Sequence, residues 1–194
     1  MLSHAQKIIE KVITVDKVIS TVIINLEHVF SIHLKSTTAN IISLKAISEG
    51  EYAPHFIITE KCDKKTINLS GSIAFTYPNN QDKLSAHKVH AITIEIEVPE
   101  HLKTTINSDI GNLSATGRYK GLVTKFMSGN CTLNDVSGNI TIHTVNGDIY
   151  LVANSGKVVT ETKTGLVKKE ALVAGNSIFE LKTTKGNINI EQSK

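Results

Sequence analysis

Glycine recurs at a nearly fixed spacing in the second half of this 194-residue chain, and the spacing restricts the possible folds more than any other feature. The intervals are nine residues at first, then ten and eleven. These glycines are Gly129, Gly138, Gly147, Gly156, Gly165, Gly175 and Gly186. Most follow a small or polar residue, as Gly129 follows Ser128 and Gly147 follows Asn146. Because glycine adopts positive-φ conformations that other residues avoid, each position predicts a turn.

Short segments that alternate apolar and polar residues follow several of these turns. The apolar pairs are Cys131 and Leu133, Ile140 and Ile142, Ile149 and Leu151, and Ile188 and Ile190. A spacing of two places both side chains of a pair on one face of a strand. Two nine-residue units make a coil of about 18 residues, close to the repeat of known β-solenoids. We therefore predict a parallel β-solenoid or β-roll with about 18–20 residues per coil. A meander of hairpins is the alternative, because Asn146-Gly147 also suits a type I′ turn.

The predicted solenoid has a definite register and interior. The segments that stack on one side begin at Gly129, Gly147, Gly165 and Gly186, and those on the other side begin at Gly138, Gly156 and Gly175. The predicted interior residues are Cys131, Leu133, Ile140, Ile142, Ile149, Leu151, Val158, Ile178, Leu181, Ile188 and Ile190. Asp148 is predicted to be a turn residue whose side chain bonds nearby backbone.

The first half of the chain predicts strands of less regular length. Residues 92–98 alternate strictly, and Pro99 ends this strand because proline lacks a backbone donor. We expect a strand after Val12, and the alternative is that residues 3–6 form a capping box that leads into one or two helical turns. Residues 78–90 are polar and predict a long surface loop. The resulting prediction is one all-β domain over residues 1–194, irregular and strand-rich at 1–98 and a solenoid at 99–194.

The strand end at Val98-Pro99, followed by turns such as Gly-Asn-Leu, Gly-Asn-Cys, Gly-Asp-Ile and Gly-Asn-Ile-Asn-Ile, resembles the bacterial putative-adhesin family, a domain of unknown function. It is also similar to the related adhesin head domain called GIN. The resemblance covers roughly Val18 to Ile190 and is most specific from Asn107 to Asn189. It implies an all-β fold in which a strand-rich first part leads into a parallel solenoid, and a role in surface adhesion. It brings no catalytic motif.

Charge and hydropathy exclude several functions. The net charge of +3 arises from 21 basic and 18 acidic residues, and only Arg118 is an arginine, so we expect no nucleic-acid partner. No apolar run approaches the length of a membrane span, so we expect no membrane insertion. Charged residues such as Lys7 and Glu10 interrupt the N-terminal stretch, which therefore lacks the pattern of a signal peptide. The expected location is cytoplasmic as given, or the cell surface or periplasm if a leader was removed.

The cysteines and histidines do not predict a metal or cofactor site. Cys62 and Cys131 lie far apart in sequence without a nearby ligand motif, and we expect ordinary thiols, with one long-range disulfide as the alternative. His87 and His90 form the best local pair, but a spacing of three suits a helix, not the loop or strand expected there. A calcium roll would need more carboxylates than Asp135 and Asp148 supply.

The carboxylates of the second half are the candidate acid–base residues, as in enzymes that act on polysaccharides. They are Asp109, Asp135, Asp148, Glu161, Glu170 and Glu180. Asp135 and Asp148 fall at different coil positions, so no convergent pair is indicated. We therefore predict no catalytic, cofactor-binding or metal residue, and a non-catalytic adhesin-like binding or scaffold protein with an unidentified protein or glycan partner. The alternatives are a carboxylate-dependent polysaccharide-acting enzyme and a module that self-associates through its solenoid edges.

Overall fold

The computed structural model describes residues 6–50, 53–74 and 90–193, and nearly all of them lie in β-strands. The strands are β1 (Gln6–Thr14), β2 (Thr21–Leu26), β3 (Ser31–Thr37), β4 (Ile41–Gly50), β5 (Phe56–Asp63), β6 (Thr66–Ile73), β7 (His90–Pro99), β8 (Lys103–Ile110), β9 (Asn112–Ser128), β10 (Cys131–Asn146), β11 (Ile149–Ala153), β12 (Ser155–Thr164), β13 (Val167–Lys169), β14 (Val173–Lys185) and β15 (Ile188–Gln192). A single 3₁₀ turn, Ala53–His55, precedes β5. The all-β prediction is confirmed.

The predictions for the first half are confirmed in part. The alternating segment at residues 92–98 lies in β7, which ends at Pro99. The strand expected after Val12 is instead β1, which begins at Gln6 and ends at Thr14, so the helical turns considered after residues 3–6 are absent from the described residues. The predicted loop at 78–90 lies outside the described residues except for His90, which belongs to β7.

The strands form two layers around one apolar core. The first layer has the order β1-β4-β7-β3-β9-β10-β11-β15-β13. The second has the order β5-β6-β2-β8-β9-β10-β14-β12. The long strands β9 and β10 belong to both layers because each bends at its centre, where Gly117 and Gly138 have φ values of 102° and 108°. Buried side chains from both layers form one cluster.

Pairing among β8 to β15 is parallel throughout, so the hairpin meander is wrong for this part of the described chain. Cys131 of β10 lies opposite Leu113 on one side and Ile149 on the other, and each is two glycine intervals away in sequence. In the second layer, Ile140 lies opposite Leu122, which is separated from it by the same offset. The predicted period is therefore the offset between neighbouring strands.

The order of stacking departs from the order of the chain at its C-terminal end. β14 lies between β10 and β12, and β15 lies between β11 and β13. The segment that comes last in sequence is thus inserted between the two segments that precede it. Gly129, Gly147, Gly165 and Gly186 share one side, as predicted, but Gly186 lies between Gly147 and Gly165.

The core prediction holds at nine of eleven positions and fails at two. Ile178 is 50% exposed, whereas Phe179 is fully buried in its place, and Val158 is only partly buried. The cause is a bulge: Ser155 and Lys157, two residues apart in β12, pair with Val173 and Ile178 in β14. The extra residues in β14 reverse the alternation of inward and outward side chains.

A column of glycines fixes the turns on one side of the stack. The column consists of Gly111, Gly129, Gly147, Gly186 and Gly165. A Cβ atom on Gly129 would lie far inside van der Waals contact of the Gly111 carbonyl oxygen, and one on Gly147 would meet Gly129 in the same way. These turns therefore require glycine for space as well as for φ.

The residues that follow the glycines form a ladder of side chain to backbone hydrogen bonds, which we call the Asn/Asp ladder. Its acceptors are the Oδ1 atoms of Asn112, Asn130, Asp148 and Asn187, which bond the backbone N–H groups of Asn130, Asp148, Asn187 and Leu166 at 3.0, 2.8, 2.7 and 2.9 Å. Asp148 does bond backbone, but in the neighbouring strand segment 39 residues away, not in its own turn. Each bond contributes about 0.5–1.5 kcal/mol, so the Gly-Asn and Gly-Asp motif stabilises the stacking itself.

Candidate functional site

A groove of about 590 Å³ crosses the outer side of the first layer near its N-terminal end. It lies over strands β1, β4, β7, β3 and β9. The side chains and backbone that line it belong to Glu10, Lys11, Val12, His33, Leu34, Lys35, Ser43, Leu44, Lys45, Glu95, Ile96, Glu97, Ser114 and Thr116. Its charged residues other than Lys11 point outward because they alternate with buried residues such as Leu44 and Ile96. Lys11 lies on the inward side of β1 and forms an ion pair with Glu60 of β5.

Opposite charges face each other across neighbouring strands of the groove. One row places Glu10, Lys45 and Glu95 opposite one another on β1, β4 and β7, and His33 of β3 comes next in this row. In the next row, Glu97 receives a hydrogen bond of 3.4 Å from Ser43 Oγ, and its carboxylate lies 4.0 Å from Lys35 Nζ. Opposite charges on facing positions stabilise the strand pairing, and they present an ordered pattern to solvent.

The floor of the groove is rigid. Leu34, Leu44 and Ile96 are at most 3% exposed and belong to the core. At the same end, Lys7 Nζ donates to the carbonyl oxygens of Pro54 at 2.9 Å and Phe56 at 2.8 Å, which ties β1 to β5 and its preceding turn. The charged groups of the groove therefore lie on strands that are packed against the core, at an end where hydrogen bonds connect the two layers.

Two carboxylates of the groove, Glu95 and Glu97, belong to the same strand. Glu95 and Glu97 lie on one side of β7, about 7 Å apart along the strand. Each faces a cation: Lys45 lies opposite Glu95, and Lys35 forms an ion pair with Glu97. Both carboxylates therefore lie beside lysine side chains of neighbouring strands, and charged groups in such rows suit the binding of a charged partner.

The carboxylates predicted from sequence are scattered, and none of them lines the groove. Asp148 lies in the Asn/Asp ladder, and Asp135 occupies a bend with φ of 48°. Asp109 accepts a hydrogen bond from the His28 N–H at 2.9 Å, and Glu170 accepts one from the Gln192 N–H at 3.0 Å. Glu161 and Glu180 both form ion pairs with Lys182 Nζ, at 3.6 Å and 2.9 Å respectively. Lys182 holds the pKa of the Glu180 carboxyl below its usual value, and Glu180 raises the pKa of Lys182. The prediction that Asp135 and Asp148 do not converge agrees with these positions.

Sequence reasoning missed the groove residues, although one signal was available. The strict alternation of residues 92–98 already places Glu95 and Glu97 on the polar side of β7. The antiparallel addition of β4 and β1, which supplies Lys45 and Glu10, has no comparable signal in the sequence.

The cysteines are free thiols, as expected: Cys62 is exposed and Cys131 is buried. Burial raises the pKa of the Cys131 thiol to about 12. Within residues 6–50, 53–74 and 90–193, no three His, Cys, Asp or Glu side chains are close enough to hold a metal ion. His143 lies in register with Lys125 and Lys182, not with another histidine, and His87 is outside the described residues.

Among solved structures, the chain is similar to a putative cell adhesion protein from Clostridium sporogenes, with a TM-score of 0.63 and 18% identity over 96% of this chain and all of the other. The chain has the fold of a putative adhesin. The predicted resemblance to that family is thus confirmed at the level of the fold. A putative adhesin from Bacteroides fragilis is a more distant match, with a TM-score of 0.40 and 16% identity over 96% of this chain and 97% of the other.

No family model and no curated protein matches the sequence. In the part of the chain that the structure describes, no helix has the length and apolar character needed to cross a bilayer.

Proposed function

We propose that the protein is a non-catalytic binding protein, built as a single-domain β-solenoid, that holds a protein partner in the charged groove over β1, β4, β7, β3 and β9. The observation that carries the proposal is the row of alternating charges formed by Glu10, Lys45 and Glu95 on three neighbouring strands. The offset of two glycine intervals that relates the parallel strands β9, β10 and β11 supports the solenoid interpretation. The likeness to a putative cell adhesion protein agrees with a binding role.

An ordered charge pattern serves recognition because it gives orientation and selectivity. Complementary charges steer a partner into one register, and like charges reject the wrong one. Here the pattern is held by paired strands over a buried floor, so little backbone entropy remains to be lost on binding.

A protein partner fits the groove better than a glycan. No Trp, Tyr or Phe side chain is among the described residues that line it, so it lacks the rings that stack on sugars. Its carboxylates and ammonium groups match the acidic and basic side chains of a protein surface.

The test measures binding of the purified chain to immobilised fibrinogen and gelatin as protein probes, and to heparin and dextran as glycan probes. Lys45→Glu places a third carboxylate in the row of Glu10 and Glu95, and we expect it to weaken protein binding by about tenfold. Lys125→Glu makes the same change on the second layer, where it is exposed, and serves as the control. Salt should weaken binding of the unaltered chain.

Equal loss of binding in Lys45→Glu and Lys125→Glu, or binding to glycan probes alone, would overturn the proposal. Melting curves of both variants establish that each remains folded. Release of reducing ends from the glycan probes, abolished by Glu95→Gln, would instead support the polysaccharide-acting alternative.

A further inference from the structure

Each end of the stack is formed by two strands that have one strand partner each among the described residues, and at the N-terminal end β1 pairs with β4 and β5 with β6. At the N-terminal end, Lys7 and the 2.8 Å ion pair between Lys11 and Glu60 link β1 to β5. At the C-terminal end, each layer finishes in a strand with one partner among the described residues: β12 pairs with β14, and β13 with β15. The exposed Lys169 side chain donates from Nζ to the Val158 carbonyl oxygen of β12 at 3.0 Å. Within the described chain, no strand other than β14 pairs with β12, so its outer edge has no strand partner.

Apolar side chains gather around this open edge. Val159 on β12 is 58% exposed, Ile178 on the adjoining β14 is 50% exposed, and Leu166 in the turn is 78% exposed. An open strand edge beside exposed apolar side chains is a template for pairing with another chain.

The end of the Asn/Asp ladder disfavours further parallel stacking. Leu166 donates the last ladder bond, from its backbone N–H to Asn187 Oδ1 at 2.9 Å, and occupies the position at which the other turns carry Asn or Asp. Its side chain offers no acceptor for the next turn. A further strand that stacked in parallel on β12 and β13 would therefore gain no ladder bond. The absence of this bond favours antiparallel pairing at the edge of β12.

We propose that β12 pairs antiparallel with β12 of a second copy of this chain, about a two-fold axis through Val159, to form a homodimer. In this register the outward side chains of β12 are complementary to themselves. Lys157 lies opposite Glu161 of the second copy, and Glu161 lies opposite its Lys157. The two Val159 side chains face each other at the centre, with Cβ atoms about 4.5–5.5 Å apart.

Charge selects this register over its neighbour. Centring the pair one residue later, on Thr160, would place Lys157 opposite Lys163 of the second copy and leave Val159 opposite Glu161. Like charges on facing positions destabilise strand pairing. The register centred on Val159 also uses nearly the whole of β12, since Ser155 then faces Lys163.

The test is sedimentation equilibrium of the full chain up to about 0.5 mM, a range that detects dissociation constants well into the micromolar region. Lys157→Glu and Glu161→Lys each create two like-charge contacts across the axis, and we expect each to weaken the dimer by about tenfold. The double variant Lys157→Glu with Glu161→Lys exchanges the charges and restores both contacts. Its dimer should return to within about twofold of the original, since pairwise coupling is regained.

Cysteine cross-linking gives a second measurement that does not depend on charge. In a background with Cys62→Ser, Val159→Cys should form an intermolecular disulfide under mild oxidation, because facing positions at the centre of an antiparallel pair meet the distance requirement. Lys163→Cys is the matched control, since it faces Ser155 and should not cross-link.

A monomer at every concentration would overturn the proposal, and so would a dimer that the double variant fails to restore. Cross-linking through Lys163→Cys rather than Val159→Cys would show that a different surface is used. Circular dichroism melting establishes that the variants, all at exposed or partly exposed positions, remain folded. The proposal does not depend on the groove, which lies at the opposite end of the stack.

Discussion

Replacing Ile149 with aspartate tests whether the parallel register of β10, β11 and β15 holds the C-terminal half together. Ile149 is fully buried and lies in register between Cys131 and Ile188, both also fully buried. Loss of the apolar side chain from such a site costs about 2–5 kcal/mol. An aspartate there must also stay neutral, and protonating a carboxyl of ordinary pKa near 3.9 at pH 7 costs about 4 kcal/mol.

These two losses together are comparable with the whole stability of a domain, which is about 5–15 kcal/mol. Ile149→Asp is therefore expected to lower the urea midpoint steeply at pH 7 and to remove much of the strand signal of the C-terminal half. The buried carboxyl has a raised pKa in the folded state, so its penalty is absent below about pH 4 and grows as the pH rises. Stability should thus recover in part on acidification.

Thr132→Asp is the control, because Thr132 alternates with the buried Cys131 and points outward opposite Tyr150. We expect this variant to change stability by less than about 1 kcal/mol. Urea unfolding followed by far-ultraviolet circular dichroism at pH 7 and pH 4 measures both variants. A midpoint for Ile149→Asp equal to that of Thr132→Asp at pH 7 would refute the register.

Two further properties follow from the turns and the thiols. Gly147→Ala drives a Cβ into the Gly129 carbonyl and should cost about 3 kcal/mol or more in thermal unfolding, whereas Gly121→Ala meets only Lys103 Cγ at 3.7 Å and should be tolerated. Equal melting temperatures would contradict the glycine column. Ellman's reagent at pH 8 should label Cys62 at once but Cys131 only after unfolding. Fast labelling of both thiols would contradict the burial of Cys131. Because the pKa of the Cys131 thiol rises from 9.0 to about 12 on folding, its contribution to stability is complete below pH 9 and is lost towards pH 12.

The glycine period predicted the turns and most of the interior because both are local properties of the chain. A turn glycine and an inward isoleucine at positions such as Gly147 and Ile149 are determined by φ and by alternation within a few residues. The choice of neighbour is different. Since every segment presents nearly the same edge, local sequence cannot show that β14 pairs with β10, and the bulge that exchanges Ile178 for Phe179 follows from that pairing.

The candidate groove was less predictable for a related reason. Its charges come from β7 and β3, which pair in parallel, and from β4 and β1, which add in antiparallel fashion. Glu95 can be placed on an outer face from its own strand. That Lys45 faces it depends on long-range pairing, which carries no periodic signal.

The insertion of β14 and β15 between earlier strands has a consequence for synthesis. As the chain leaves the ribosome, β10 pairs with β9 and β11 pairs with β10, and β12 and β13 emerge next. Among the described residues, β12 pairs with β14 and β13 pairs with β15, and both of these partners follow them in the chain. The segment that contains β14 and β15 must therefore insert between strands that are already synthesised. Until it does so, the nascent protein exposes an unpaired edge of β10. The C-terminal strands can therefore pair fully only after β14 and β15 have emerged. We expect residues 155–169 to become ordered at that stage of synthesis and not before.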